Sequence, residues 1–315
     1  MSERRRANHG RSAGELRFDG RVAVVTGAGN GLGRAHALLL ASRGAAVVVN
    51  DLGGDIHGTG SSGAAQSVVD EIIAAGGSAA ANTASVATVE GGESIVRTAL
   101  DEFGRIDILI NNAGIIRDRV FHKMEPEMID AVLDVHLRGC FNVTRPAWVR
   151  MREAGYGRIL NTTSISGILG MYGQANYGAA KMGVIGLTRV LCHEGARFGI
   201  KINALAPVAK TRMTDELMAA EWMDKALDPS RVAPVAAFLV HEDCPVTGEV
   251  YSAGGGRVNR FFTGLTRGYF TPDPTVEDVA DNFDQIRDEA GYTIQHDPSD
   301  EFAALQRLIE GEADQ

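Results

Sequence analysis

The segment Val22-Ala-Val-Val-Thr-Gly27-Ala-Gly29-Asn30-Gly31-Leu32-Gly33 constrains the fold more than any other stretch of the chain. An apolar, β-branched run leads directly into spaced glycines, and these lead into the helical stretch Ala35–Leu40. The order calls for a strand that turns at once into a helix. Gly27 suits the tight turn, Gly31 lets backbone approach a phosphate group, and Gly33 allows helix and strand to pack closely. The helix N-terminus adds partial positive charge, so the turn reads as a phosphate cradle. Glycine also serves tight turns that hold no ligand; the placement between strand and helix is what favours the cradle.

Beyond Arg21 the chain alternates between short apolar runs and Ala/Leu/Gly-rich stretches, the pattern of parallel strands joined by crossover helices. Strands are expected at Arg21–Thr26, Ala46–Asn50, Ser78–Asn82, Ile106–Ile110, Arg158–Thr163, Lys201–Leu205 and Glu249–Ser252. This gives an α/β fold, a doubly wound parallel sheet of about seven strands. Leu52–Gly63, reading LGGDIHGTGSSG, is too rich in Gly and Ser for a regular element and is expected to be a surface loop placed to cover a ligand. The helix expected over Glu127–Glu153 contains Pro146, which lacks a backbone donor and should kink the helix or end it early. Past Gly256 the alternation stops. We expect a basic tail over 1–15, one catalytic domain over 16–256 and an acidic extension over 257–315 with an amphipathic helix at Phe302–Ile309.

A formal charge of -9 disfavours nucleic acid and anionic membranes as partners. Arg4, Arg5, Arg6 and Arg11 precede no apolar stretch, so the N-terminus does not read as a secretory signal. No apolar run is long enough to span a bilayer. Cys140, Cys192 and Cys244 are scattered and odd in number, which points to a reducing, cytoplasmic setting. His122, His193 and His241 have no partners at metal-ligand spacing, and no metal is expected.

Three further features carry chemistry. Asp51 ends the second strand, where a carboxylate can accept hydrogen bonds from an adenosine ribose and repel a 2′-phosphate; NAD is therefore expected rather than NADP. The alternative for Asp51 is a solvated loop cap. Asn111-Asn112-Ala113-Gly114 follows the fourth strand at its carboxyl end, where open parallel sheets bind ligands, although an Asn/Gly turn also occurs without one. Tyr177 and Lys181 share a helix face at i and i+4, with Ser164 upstream. A free tyrosine titrates near pH 10, too high for a base at neutrality; Lys181 and an oxidised nicotinamide are expected to favour the phenolate. Ser164 is placed to hydrogen-bond an oxygen that develops negative charge. Taken singly, a Tyr and a Lys at this spacing are more often surface residues.

In this order, the glycine turn, NNAG and Ser164/Tyr177/Lys181 resemble the short-chain dehydrogenase/reductase family. The segments Leu16–Arg21, Asn50–Asp55, Phe103–Asp107, Val135–Gly139, Gly173–Tyr177 and Arg212–Thr214 resemble in particular its (3R)-hydroxyacyl-CoA dehydrogenase modules of multifunctional β-oxidation enzymes. The resemblance implies a Rossmann-type fold and NAD-dependent oxidation of a 3-hydroxyacyl-CoA, or alternatively of a 17β- or other hydroxysteroid. It implies that Tyr177 takes the hydroxyl proton, Lys181 binds the nicotinamide ribose and Ser164 orients the substrate. It also implies that Ser85 and Val86 lie near adenine, that Asn112, with Ala113 and Gly114, lies near the ribose, and that Pro207 and Ala209, Thr211 and Arg212 lie near the nicotinamide amide. Homodimers or homotetramers joined through Ile129–Arg150 and Gly178–Phe198 are implied as well.

The chain departs from the family pattern at three places. His136 stands where the family usually has an Asn of a proton relay, and the residue reads equally as a hydrogen-bonded core histidine. Ala84 replaces an Asp beside the adenine, and Pro207-Val208 replaces a Pro-Gly. A non-catalytic NAD-binding module is the reading from another class, and the intact Ser164/Tyr177/Lys181 set argues against it. Arg117, Arg119, Lys123, Lys210 and Arg212 are candidates for meeting the phosphates of a CoA thioester.

Overall fold

The computed structural model describes residues 14–60, 62–211, 226–295 and 297–310. The basic tail, apart from Gly14 and Glu15, and Arg212–Thr214 lie outside the described residues. The chain divides into two compact units, Met1–Arg260 and Phe261–Gln315.

In the first unit, β1 (Val22–Thr26), α1 (Gly31–Ser42), β2 (Ala46–Asn50), α2 (Ala64–Ala74), β3 (Ser78–Asn82), α3 (Val89–Phe103) and β4 (Ile108–Asn111) form the first half of the alternation. The second half begins with α4 (Pro126–Leu133), a π-helical turn at Asp134–Arg138, α5 (Gly139–Ala154), β5 (Gly157–Thr162), α6 (Ile165–Leu169) and α7 (Ala175–Gly195). It closes with β6 (Ile200–Pro207), α8 (Ala233–Leu239), β7 (Val250–Gly254) and β8 (Arg257–Phe261). The sheet has eight strands in the order β3-β2-β1-β4-β5-β6-β7-β8. Strands β1 to β7 pair in parallel throughout. The seven expected strands are joined by an eighth, β8, which follows β7 across Gly255-Gly256.

Alternation of side chains along the strands builds a core on each face. Ala23, Val25, Val47, Val49, Ile108 and Ile110 pack with Leu40 of α1 and Ile72 of α2. Val22, Val24, Val48 and Leu109 pack on the opposite face with Ile95 of α3 and Met151 of α5. Both faces are covered, as a parallel sheet requires. The strand order reverses between β1 and β4, and the crevice at that reversal is where such sheets bind ligands.

Pro146 does not end α5, which runs on to Ala154. The proline frees the carbonyl of Asn142, one turn earlier, from its helical partner. Gly92 of α3 fits against that carbonyl; a Cβ at Gly92 would overlap the Asn142 oxygen and stand 2.5 Å from its carbon. The departure from α-geometry lies instead at Asp134–Arg138, ahead of the proline.

The second unit contains β9 (Gly264–Leu265), α9 (Val276–Asp281), α10 (Phe283–Arg287), β10 (Thr293–Ile294) and α11 (Pro298–Glu310). β9 and β10 pair antiparallel, Phe262 stacks on Tyr292 at 5.6 Å, and Thr275 caps α9 in a reciprocal capping box with Asp278. The helix expected at Phe302–Ile309 falls within α11. Among the described residues, no helix is long and apolar enough to cross a membrane.

Because the Asn142 carbonyl is held by a rigid helix, Gly92→Ala should lower the unfolding free energy by roughly 1–3 kcal/mol through overpacking. The urea midpoint should fall at unchanged slope.

Candidate active site at the reversal of the sheet

The site begins with an interlock between the turns that follow β1 and β4. The Thr26 hydroxyl accepts from the backbone N–H groups of Asn112 (3.0 Å) and Ala113 (3.1 Å). The Asn112 amide donates back to the carbonyls of Thr26 and Gly27, at 3.0 Å each. Gly27, with φ of 62°, faces Ala113 so closely that a Cβ would stand 2.7 Å from the Ala113 Cα. At Gly33 a Cβ would overlap the Gly27 carbonyl and stand 2.5 Å from the Asn112 amide. Small residues at these positions let two turns and a helix meet.

A cavity of about 420 Å³ opens above the interlock, and Gly27, Asn30, Gly31, Leu32 and Thr211 line one side of it. Asn30 precedes α1 without capping it, and the first turn carries no acidic residue. The first N–H groups of that helix therefore face the cavity with their partial positive charge. Asp51 enters from β2, and its carboxylate accepts from the N–H groups of Gly29 (2.8 Å) and Gly53 (2.7 Å). The loop segment 52–58 lines this end. Ile116 N–H donates to the Ile56 carbonyl at 2.9 Å, and Asp55 is held well below its usual range, to about 2, chiefly by hydrogen bonds from Thr59.

Ala84, Ser85, Val86, Asn112, Ala113 and Gly114 form the opposite wall. Sequence reasoning missed what holds this wall in place. The buried Asn50 amide donates to Asn82 Oδ1 (3.0 Å) and to the Ala84 carbonyl (2.9 Å), and Asn82 Oδ1 also accepts from Ala84 N–H (2.9 Å). Below it, Asn111 donates to Thr144 (2.9 Å) and Asn161 (2.8 Å), and Asn161 donates to Thr188 (2.9 Å). This buried ladder ties β4 and β5 to α5 and α7. Its sequence signal is an asparagine near the end of each of β4 and β5.

Ser164, Tyr177, Lys181 and His136 converge beside the cavity. Ser164 caps α6 at the end of β5, accepting from Ser166 N–H at 3.1 Å. Tyr177 lies in the first turn of α7, near enough to Ser164 for that hydroxyl to favour the ionised phenol. Lys181 follows one turn later, fully enclosed, with Nζ donating to the Thr162 carbonyl at 2.6 Å and 5.7 Å from the centre of the Tyr177 ring. The His136 ring meets the Tyr177 ring edge-on at 5.0 Å. Its Nε2 stands 3.0 Å from the Ile115 N–H and 2.8 Å from the Ile115 carbonyl, so either tautomer finds a partner in the same residue. Lys181 and His136 also line a small hollow that shares Val86, Ala113 and Val135 with the main cavity.

Burial governs the charges here. It pushes the Lys181 ammonium down to about 8. It drives His136 well below its ordinary value, with the Lys181 charge adding to the effect. It raises the Tyr177 phenol above its ordinary value, against the hydrogen bond from Ser164 and with Asp118 adding to the rise. The lowering expected from Lys181 together with an oxidised nicotinamide belongs to the cofactor-bound site; in the protein alone desolvation is the larger effect. A half-buried hydroxyl and phenol beside a buried ammonium can pass a proton at a bound alcohol.

Pro207 at the end of β6, Ala209 beyond it and Gly33 in α1 lie outside the lining of the main cavity, as do Ser164, Tyr177 and Lys181. Among the described residues, no group of His, Cys, Asp and Glu is arranged to hold a metal ion.

Residues 21–222 match the family described as short chain dehydrogenase. The chain is 51% identical over 276 residues to a short-chain type dehydrogenase/reductase of Mycobacterium tuberculosis, covering 87% of this chain and 96% of that one. It is 50% identical over 281 residues to the peroxisomal multifunctional enzyme type 2 of Mus musculus, covering 88% of this chain and 38% of that protein's length. The solved structure of the full-length peroxisomal multifunctional enzyme type 2 from Drosophila melanogaster superposes with a TM-score of 0.80 at 38% identity, over 94% of this chain and 50% of that one.

A Cβ at Gly114 would overlap the His136 ring. Gly114→Ala and His136→Ala should each lower the melting temperature. Combined, they should lose less than the sum, by a coupling of about 0.5–3 kcal/mol in a double-mutant cycle.

Proposed function

The chain belongs to the short-chain dehydrogenase family and is an oxidoreductase, and we propose that it oxidises a 3-hydroxyacyl-CoA to the 3-oxo thioester with NAD. The convergence of Tyr177, Lys181 and Ser164 beside a cavity that ends at Asp51 carries this reading. A relative of Mycobacterium tuberculosis named a hydroxyacyl-CoA dehydrogenase, 37% identical over 91% of this chain, favours the acyl-CoA substrate over a hydroxysteroid.

The residues present fit a dinucleotide. The uncapped first turn of α1 would hold the pyrophosphate, since its N–H groups and dipole suit an anion. Asp51, fixed by two backbone donors, keeps lone pairs for the ribose hydroxyls, and its charge would repel a 2′-phosphate. The interlocked Asn112, Ala113 and Gly114 would form the floor beneath the nicotinamide ribose. When bound, NAD supplies the acceptor for the hydride from the carbinol carbon and a positive ring charge.

The chain's own residues handle the proton. Ser164 orients the alcohol oxygen, and Tyr177 Oη takes the hydroxyl proton. Lys181, its Nζ 5.7 Å from the centre of the Tyr177 ring, keeps positive charge on the side where a phenolate forms. His136 stays neutral, because desolvation and Lys181 both disfavour the imidazolium. It acts as a positioning residue, holding Ile115 behind the NNAG turn and bracing the Tyr177 ring.

Cys140, Cys192 and Cys244 are all free, in keeping with a reducing cytoplasm. Phe141 and Val149 on α5 and Met182 and Val190 on α7 are exposed, which supports a homodimer or homotetramer built on these helices.

The direct test is NADH formation with a 3-hydroxyacyl-CoA and, in parallel, a 17β-hydroxysteroid. Tyr177→Phe should reduce kcat by about 10²–10⁴-fold while NAD still binds by fluorescence titration; full activity in this variant would remove the assignment. Asp51→Ala should shift the NADP-to-NAD ratio of kcat/KM toward NADP by about tenfold. Unchanged discrimination would assign cofactor choice to another residue.

A further inference from the structure

We propose that the segment 117–123, together with the turn 171–173 that faces it, is the docking rim for the phosphorylated nucleotide end of a coenzyme A thioester. The proposal rests on the acyl-CoA reading above.

The first observation is charge. In a chain of net charge -9, Arg117, Arg119, His122 and Lys123 fall within seven consecutive residues, with Asp118 the only carboxylate among them. Asp118 accepts from the Gln174 amide at 2.6 Å and is thereby turned toward α7. Among the described residues, Arg117, Arg119 and Lys123 make no ion pair. Glu125 and Glu127 follow at the start of α4, so the positive field is local to the strip. Exposed cations of this kind usually gain little from single surface partners, whereas several together suit a polyanion.

The second observation is that the strip is anchored to the reacting centre. Arg119 N–H donates to the Gly173 carbonyl at 2.8 Å, and Arg119 bridges Gln174. The buried Asn176 amide donates to the Arg117 carbonyl at 3.0 Å, and its Oδ1 accepts from the N–H of Tyr177 at 2.8 Å. Arg117 lines the main cavity, while Arg119 and Lys123 stand outside it in solvent. A thioester with its carbinol at Tyr177 thus has a fixed row of cations beside its exit.

The third observation is apolar. Phe121 is 76% exposed and Tyr172 is 89% exposed, on the two segments that Arg119 joins. Aromatic faces held at that exposure beside cations suit a purine, which stacks while its phosphates are paired. A free carboxylate or a steroid offers neither group.

The experiment compares kcat/KM for a 3-hydroxyacyl-CoA with that for the same acyl group on N-acetylcysteamine, which lacks the phosphates and adenine. Both are measured in the wild type and in Arg119→Glu/Lys123→Glu. The CoA-to-N-acetylcysteamine ratio should fall about tenfold in the variant, through KM for the CoA thioester, and the wild-type KM for that thioester should rise with added salt. Tyr172→Ala should lower the same ratio without altering its salt dependence. A wild type that oxidises both thioesters, with a ratio unmoved by charge reversal, would overturn the docking rim and leave the acyl-CoA reading standing. A wild type that oxidises neither thioester would overturn that reading, and the rim with it.

Discussion

The site depends on the close approach of two backbone turns, those after β1 and β4, made possible because Gly27 has no side chain to strike Ala113. Thr26 and Asn112 then satisfy the polar groups this approach would otherwise bury, so the contact costs no unpaired donor. The interlock fixes the cavity floor. It also fixes Gly114 and Ile115, and through Ile115 the ring of His136, which meets Tyr177 edge-on. A chain of contacts thus runs from a glycine in the first turn to the phenol on α7, with rigid packing at each step.

The enclosure that shapes the site also sets its electrostatics. An isolated ammonium without water is unfavourable, and Lys181 remains only because the Thr162 carbonyl accepts from it at 2.6 Å. Even so, burial draws it down to about 8, so it is still charged at neutrality but close to its limit. Burial, with the Lys181 charge adding to it, holds His136 well below its ordinary value. Two cations in so small a space would repel each other strongly, and the structure resolves the conflict by giving the proton to lysine. At Tyr177 the enclosure opposes the phenolate and is the larger effect, while the Ser164 hydroxyl favours it.

Much of the fold was legible from pattern alone. β2 and β3 lie where the apolar runs placed them, at Ala46–Asn50 and Ser78–Asn82, because short β-branched or alanine runs bounded by Gly and Asn leave little choice. β6 extends past its expected end to Pro207, because pairing with β7 continues to Ala253. The π-helical turn at Asp134–Arg138 was not legible. DVHLR reads as ordinary helix, and its irregularity coincides with tertiary contacts: His136 reaching Ile115, and Gly139 lying against Val86. The Asn111–Asn161 ladder was hidden for the same reason, since its partners are 27 to 50 residues apart and each residue taken alone suits a strand end or a helix. The sequence placed Ser164, Tyr177 and Lys181 together by family resemblance, while the direction of the phenol's shift followed only from its burial.

The departures from the family pattern show why a single substitution is read poorly in isolation. Ala84 brings no carboxylate to the cavity wall, yet its backbone is held on both sides, the carbonyl by Asn50 and the N–H by Asn82, so the wall keeps its place without the missing side chain. Val208 replaces a flexible residue after β6, and the opposing strand answers with Gly254, where a Cβ would stand 2.6 Å from that of Val208. Val208 N–H meanwhile donates to the Ala253 carbonyl at 2.7 Å, extending the ladder instead of breaking it. At both positions a neighbour distant in sequence supplies the rigidity or the space that the local residue does not. The unit that keeps the cavity intact is therefore the contacting pair, Asn82 with Ala84 and Gly254 with Val208, and a change at either member acts on the site through the other.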